Sequence, residues 1–196
     1  MNVLGIYGSP RKGGNSDLLL DQALQGAREA GATTEAVYCR KLRISGCIEC
    51  GACEATGQCV IDDGMQDVYP LLRQADAIIL AEPIFFYGAP AQTKALIDRA
   101  QAEWSRRLLG KKTKEERKVY DGGRGYLIAV GATQGKNMFV CVELEAKYFF
   151  DALDMSYEGG MLIRGVEAKG GILEHQQTMQ QAHDLGRAIA GQAGRS

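Results

Sequence analysis

The chain has 196 residues, a net charge of −1, and is 45% hydrophobic and 24% charged. That length suits one domain, residues 1–196, with room to bury a full core without staples. The near-neutral charge leaves no electrostatic footprint for nucleic acid or an acidic membrane, and no apolar run approaches the roughly 20 residues of a membrane span.

The opening Met1-Asn2-Val3-Leu4-Gly5-Ile6 runs into a strand pattern without a basic leader or cleavage site. A cytoplasmic setting is therefore expected, in which cysteines stay reduced. Residues 3–7 form a near-continuous apolar run, as in a buried parallel strand, and end on Gly8-Ser9-Pro10. Residues 16–30 carry Leu18, Leu19, Ala23, Leu24 and Ala27 on one helical stripe, closed by Gly31. Residues 33–39 alternate like a second strand. A short helix at 66–74 leads to a third strand at 77–81, and a helix at 91–106 turns Leu96, Ile97 and Ala100 inward. Strands at 125–130 and 156–164 are separated by a helix at 138–153, and a last helix spans 173–190. Strand–helix alternation with short connections predicts a doubly wound parallel α/β sheet.

Two stretches interrupt this rhythm. Residues 106–124 crowd Arg106, Arg107, Lys111, Lys112, Lys114, Arg117 and Lys118 together, either as a solvated loop or as an oligomer contact or clamp for a phosphorylated nicotinamide cofactor. Residues 40–65, after the second strand, contain Cys47-x2-Cys50-x2-Cys53-x5-Cys59. Thiolates at that spacing can wrap one polynuclear centre, and bacterial ferredoxins open with the same C-x2-C-x2-C run. Structural zinc more often uses two separated cysteine pairs. An iron–sulfur cluster, zinc, and free or disulfide-paired thiols therefore compete, with the cluster leading.

Three loops share the carboxyl edge of the strands, where open α/β sheets bind ligands. The first, Gly8-Ser9-Pro10-Arg11-Lys12-Gly13-Gly14-Asn15-Ser16, offers backbone N–H groups and positive charge to an anion at a helix start. It is neither a P-loop nor a G-x-G-x-x-G fingerprint. Asn15 or Ser16 also suits a helix N-cap. The second, Glu82-Pro83-Ile84-Phe85-Phe86-Tyr87-Gly88, places three aromatics in a row, which suit a flat ring or a subunit interface. The third, Gly131-Ala132-Thr133-Gln134-Gly135-Lys136, is polar and glycine-rich. Cys39 and Cys141 read as small buried hydrophobes, and His175 and His183, eight residues apart in the last helix, as surface or packing residues.

These pieces together resemble the NADPH-dependent FMN reductase family within the flavodoxin-like fold, in particular its iron-sulfur flavoproteins. The matching set is Gly8-Ser9-Pro10-Arg11 with Gly14-Asn15-Ser16, the four spaced cysteines, Asp62-Asp63-Gly64-Met65, and Pro83-Ile84-Phe85-Phe86 leading to Lys94-Ala95-Leu96-Ile97-Asp98-Arg99. The likeness runs through about Gly135, and beyond Val142 only the strand–helix rhythm continues. It implies a five-stranded sheet of order 2-1-3-4-5 that carries FMN. Ser9, Arg11, Gly14, Asn15 and Ser16 would hold the phosphate, Pro83, Ile84, Phe85 and Phe86 would line the ring, and Gly131, Ala132 and Thr133 would flank it. It also implies a [4Fe–4S] cluster on Cys47, Cys50, Cys53 and Cys59.

The resulting expectation is an FMN-dependent oxidoreductase relaying electrons between ferredoxin or NAD(P)H and an acceptor, with no catalytic residue of its own and assembled as a homodimer or homotetramer. The alternatives are a cluster-free NAD(P)H-dependent FMN or quinone reductase and a non-enzymatic zinc-binding module. Glu82 is unusual beside the ring segment and is expected either to alter the flavin's electronics or to face solvent.

Overall fold

The computed structural model describes residues 1–192. In chain order it contains β1 (Asn2–Tyr7), α1 (Asn15–Glu29), β2 (Thr33–Tyr38), α2 (Met65–Gln74) and β3 (Ala77–Pro83). These are followed by α3 (Ala91–Arg99), α4 (Gln101–Gly110), β4 (Gly123–Val130), α5 (Val140–Ala152), β5 (Met155–Ile163) and α6 (Gln176–Gly191). Short 3-10 turns occupy Cys39–Lys41, Glu116–Lys118 and Gly171–Glu174. The strands form one five-stranded sheet in the order β2-β1-β3-β4-β5, and every pairing is parallel. This is the flavodoxin-like arrangement.

Alternation along the strands divides the core between the two faces of the sheet. Leu4 and Ile6 of β1, Ile78 and Leu80 of β3, and Leu127 and Ala129 of β4 face one side, where they pack with Val68 and Leu72 of α2, Leu96 of α3 and Phe149 of α5. Val3 and Tyr7, Ile79 and Ala81, and Ile128 and Val130 face the other, under Leu20 and Leu24 of α1 and Ile189 of α6. Strands buried on both faces read as unbroken apolar runs, which is why the central three were legible in the sequence.

Helices α1 and α6 approach each other backbone to backbone. A Cβ on Gly186 would stand 1.7 Å from the Ala23 carbonyl oxygen, and one on Gly26 2.0 Å from that of His183. His183 also bridges the two helices, its Nε2 lying 2.9 Å from Glu29 Oε2. His183 is thus a packing residue, whereas His175 is the N-cap of α6 rather than part of its body.

The structure departs from the sequence expectation in three places. The helix expected over 91–106 is two helices, α3 and α4, meeting at Ala100, with no proline or glycine marking the break. Cys141 is exposed rather than buried, because α5 turns Val142, Ala146, Phe149 and Phe150 inward and leaves position 141 outside. The basic stretch after Arg106 is only partly a solvated loop. Arg107 is almost fully buried and pairs with Asp151 at 2.7 Å and Asp154 at 2.8 Å, while Lys111 reaches Asp154 at 2.7 Å and Asp121 at 2.9 Å. Breaking a buried pair of this kind leaves an uncompensated charge, at about 3–5 kcal/mol. These two cations therefore pin the segment to the α5–β5 turn.

Candidate functional site

All five strands run the same way, so their carboxyl ends and following loops share one edge of the sheet. The strand order reverses between β1 and β3, and the loops after those strands diverge to leave a cleft. A cavity of about 450 Å³ occupies it, lined by Ser9, Pro10, Arg11, Gly14, Asn15, Ser16, Pro83, Ile84, Phe85, Val130, Ala132, Val166 and Glu167.

The loop after β1 is organised around its own side chains. Ser9 Oγ accepts from the Arg11 N–H at 3.2 Å, and Asp17 Oδ2 accepts from the Gly13 N–H at 3.0 Å and pairs with Arg40 at 2.9 Å. Gly13 takes a φ of 67°, which its missing Cβ permits. The expected side-chain N-cap is absent. Gly14 is the N-cap of α1, and no side chain caps the helix. Asn15 is engaged elsewhere: its Nδ2 donates to the carbonyls of Val166 and Ala168 at 3.3 and 3.0 Å, and its Oδ1 accepts from the Ile172 N–H at 3.3 Å. The positive end of α1 is thereby left open toward the cavity, beside the exposed Arg11.

The segment after β3 supplies the opposite wall. Phe85 and Gly88 exchange backbone hydrogen bonds at 2.9 Å in each direction, closing a two-residue turn with φ of 50° at Phe86 and 64° at Tyr87. Left-handed backbone at a bulky residue costs roughly 1–2 kcal/mol. The turn directs Phe85 to the cavity and leaves Phe86 wholly in solvent, at 106% relative exposure. Phe86 therefore does not join the lining residues. Ala132 does, whereas Gly131 and Thr133 lie behind it, their carbonyls accepting the Val166 and Gly165 N–H groups at 3.2 and 3.1 Å. Sequence reasoning missed Val166 and Glu167. A parallel sheet brings the loop after β5 to the same edge, and the glycines at 165, 170 and 171 were the available signal.

Glu82 does not face solvent. It is 1% exposed, its Oε2 has no hydrogen-bond partner, and burial followed by the nearby Glu145 charge pushes its carboxyl up to about 8. It is thus a neutral acid at neutral pH, in the residue immediately before the ring segment.

The cysteine loop is fastened at both ends. Ser45 N–H and Met65 N–H bind Asp63 at 3.1 and 3.0 Å, and Gln66 Nε2 donates to the carbonyls of Cys59 and Ile61 at 3.1 and 2.7 Å. Arg99, from the end of α3, donates from Nη1 to Asp63 at 2.7 Å and Ser45 O at 3.2 Å, and from Nη2 to Ile61 O at 3.4 Å. Burial raises the Asp63 carboxyl, but the hydrogen bonds from Arg99, Met65 and Ser45 outweigh it and hold the group below its usual range. Cys47, Cys50, Cys53 and Cys59 are free thiols, and all four line a second cavity of about 360 Å³ with Asp98, Arg99 and Gln101. Their sulfurs are not gathered. Among the described residues no group of three or more Cys, His, Asp or Glu side chains is close enough to hold a metal ion.

A family model described as NADPH-dependent FMN reductase matches residues 1–157. The chain belongs to the NADPH-dependent FMN reductase family. An iron-sulfur flavoprotein from Methanosarcina thermophila is 44% identical over 100 residues, covering 51% of this chain and 52% of that protein. An iron-sulfur flavoprotein from Methanocaldococcus jannaschii is 30% identical over 150 residues, covering 76% and 71%. The chain spans about half the length of the curated relatives it matches first. The solved NAD(P)H:quinone oxidoreductase from Methanothermobacter marburgensis aligns over 100% of this chain and 99% of its own with a TM-score of 0.70 at 16% identity, which establishes the shared fold. No helix among the described residues is long and apolar enough to cross a membrane.

The buried acid gives a pH signature. Glu82 ionises from about 4.5 in the unfolded chain but keeps its proton to about 8 in the fold, so folding takes up a proton between those values. Stability then falls with rising pH by up to about 1.4 kcal/mol per unit across that window. Urea unfolding from about pH 5 to about pH 8 should show Glu82→Gln gaining on the parent as pH rises. A constant difference between the two would mean that Glu82 ionises normally.

Proposed function

We propose that this protein is an FMN-dependent oxidoreductase that relays electrons from a reduced donor, NAD(P)H or ferredoxin, to an acceptor in a cytoplasmic setting. The observation that carries this reading is the cleft at the strand-order reversal, where the uncapped start of α1 and Arg11 stand across from Pro83, Ile84 and Phe85 in a chain of this family. Ser9, Arg11, Gly14 and Ser16 would hold the FMN phosphate, with Asn15 bracing the loop after β5 against them. Pro83, Ile84, Phe85 and Ala132 would line the ring. Bound FMN supplies two-electron hydride acceptance and release of electrons singly. The chain's task is to bind, orient and shield it, and no side chain in the cleft is required as an acid or base.

The donor chemistry of the four cysteines supports a [4Fe–4S] cluster. They are free thiols from one loop, they share one cavity, and that cavity is bounded by a buried arginine suited to a negatively charged group. A cluster on Cys47, Cys50, Cys53 and Cys59 would supply one-electron transfer beside the flavin. The family names of the relatives support this reading. The ungathered sulfurs favour a second reading, a cluster-free NAD(P)H-dependent FMN or quinone reductase.

We further propose a homodimer or homotetramer. Val140, Leu144 and Tyr148 form an exposed stripe at i, i+4 and i+8 on α5, and Phe86 and Tyr87 add exposed aromatic surface. Light scattering at micromolar concentration should report two or four chains. A monomer with FMN bound would remove this part of the proposal.

Replacing Arg11 with alanine removes a charge-assisted bond worth about 1.5–3 kcal/mol, less some solvent screening at an exposed site, so FMN should bind about tenfold or more weakly. Calorimetric titration of FMN checks this, and unchanged affinity excludes Arg11 from the phosphate site.

Protein purified without oxygen should contain about four iron and four sulfide per chain and show broad cluster absorbance over the flavin bands. Changing any of Cys47, Cys50, Cys53 or Cys59 to serine should lose or destabilise the iron while FMN remains, and the same change at Cys39 or Cys141 should not affect it. Flavin alone after anaerobic reconstitution would establish the cluster-free reductase. Zinc without sulfide or flavin would return the zinc module.

A further inference from the structure

Arg99 is 1% exposed and is among the largest fully buried side chains of the protein. Its terminal nitrogens are committed to Ser45 O, Asp63 and Ile61 O, which flank the cysteines on either side. Its Nε has no hydrogen-bond partner among the described residues. A guanidinium offers five N–H donors in a fixed fork, and leaving one orphaned on a buried cation is costly. Arg99 also borders the cavity lined by Cys47, Cys50, Cys53 and Cys59. The Tyr69 hydroxyl, which donates to Arg99 O at 2.9 Å, closes the same corner.

We propose that the Nε–H of Arg99 donates a hydrogen bond to a sulfur of the centre held by the four cysteines, and that Arg99 thereby raises that centre's reduction potential. The inference rests on the iron–sulfur reading above and deepens it by assigning the residue that tunes the centre. A cluster held there would take up one electron, which a reduced flavin would supply, with no bond made or broken. Each added electron makes the centre more negative. A buried N–H donor on a cation stabilises the reduced form more than the oxidised one, since net charge, hydrogen bonds to sulfur and solvent exposure govern such potentials. Asp63, ion-paired to Nη1, and Asp98, on the cavity wall, offset part of the charge. The directed N–H bond therefore remains the specific contribution. A lysine could restore the charge but not the fork that holds both ends of the loop and offers a third donor.

The test uses the full chain reconstituted anaerobically with iron and sulfide. In the parent protein grown on isotope-labelled arginine, pulsed electron paramagnetic resonance of the reduced centre should show a hyperfine coupling to the labelled nitrogen. In Arg99→Lys, loaded centres should lose that coupling and titrate at a more negative midpoint potential, with iron and sulfide per loaded chain unchanged. If Arg99→Lys fails to fold, the coupling in the parent protein decides alone. A loaded parent protein without the coupling, or a loaded Arg99→Lys with the parent's potential, overturns the role of Arg99 while leaving the cluster in place. A parent protein that takes up no iron and sulfide overturns both.

Discussion

The reversal of strand order beside β1 is the constraint from which the site follows. With β2 on one side of β1 and β3 on the other, the connections after β1 and β3 must leave for opposite faces of the sheet. The gap between them cannot be filled by either connection. Among the described residues the functional candidates lie at the ends of these strands, on loops that leave this edge, or on helices that such loops begin. The phosphate-type loop enters α1, the aromatic turn enters α3, and the cysteine loop hangs from β2 and returns through α2.

The edge is reinforced by contacts that are local in space and remote in sequence. Thr93 Oγ1 donates to the carbonyl of Gly8 at 2.9 Å, tying the start of α3 to the first loop. Arg40, at the root of the cysteine insertion, reaches the Ser9 carbonyl at 3.3 Å. Asn15 holds the segment after β5, more than 150 residues away in the chain. Buried polar groups that are this fully engaged make a rigid frame. The exceptions at this edge include Asp17 Oδ1, Glu82 Oε2 and Arg99 Nε, which have no hydrogen-bond partner among the described residues.

Most of the architecture could be read from the sequence because a parallel sheet covered on both faces writes itself as apolar runs, and its helices as stripes. The loops that begin helices were also legible, through glycine, proline and small polar residues at fixed places. What escaped depended on partners that no local pattern reveals. The break at Ala100 carries no breaker residue. Arg107 and Lys111 sit in a run of like charges that looks solvated, yet their acids, Asp151 and Asp154, come from the end of α5 and the turn after it. Phe86 belongs to an aromatic triplet whose members looked equivalent until a turn with two left-handed residues sent them in different directions. Val166 and Glu167 lay in a segment whose role follows from topology and not from composition.

Helix α3 joins the two cavities as a spacer of fixed pitch. Thr93 engages the flavin-side loop at one end, and Arg99 grips the cysteine loop at the other, about 9 Å further along the axis at 1.5 Å per residue. Because each residue also turns the helix by about 100°, adding or deleting a single residue between them would rotate Arg99 away from Asp63 and shift the cysteine loop relative to the cleft. The interval between Thr93 and Arg99 is therefore fixed in length. Its length acts as a ruler, fixing how far the cysteine loop stands from the cleft.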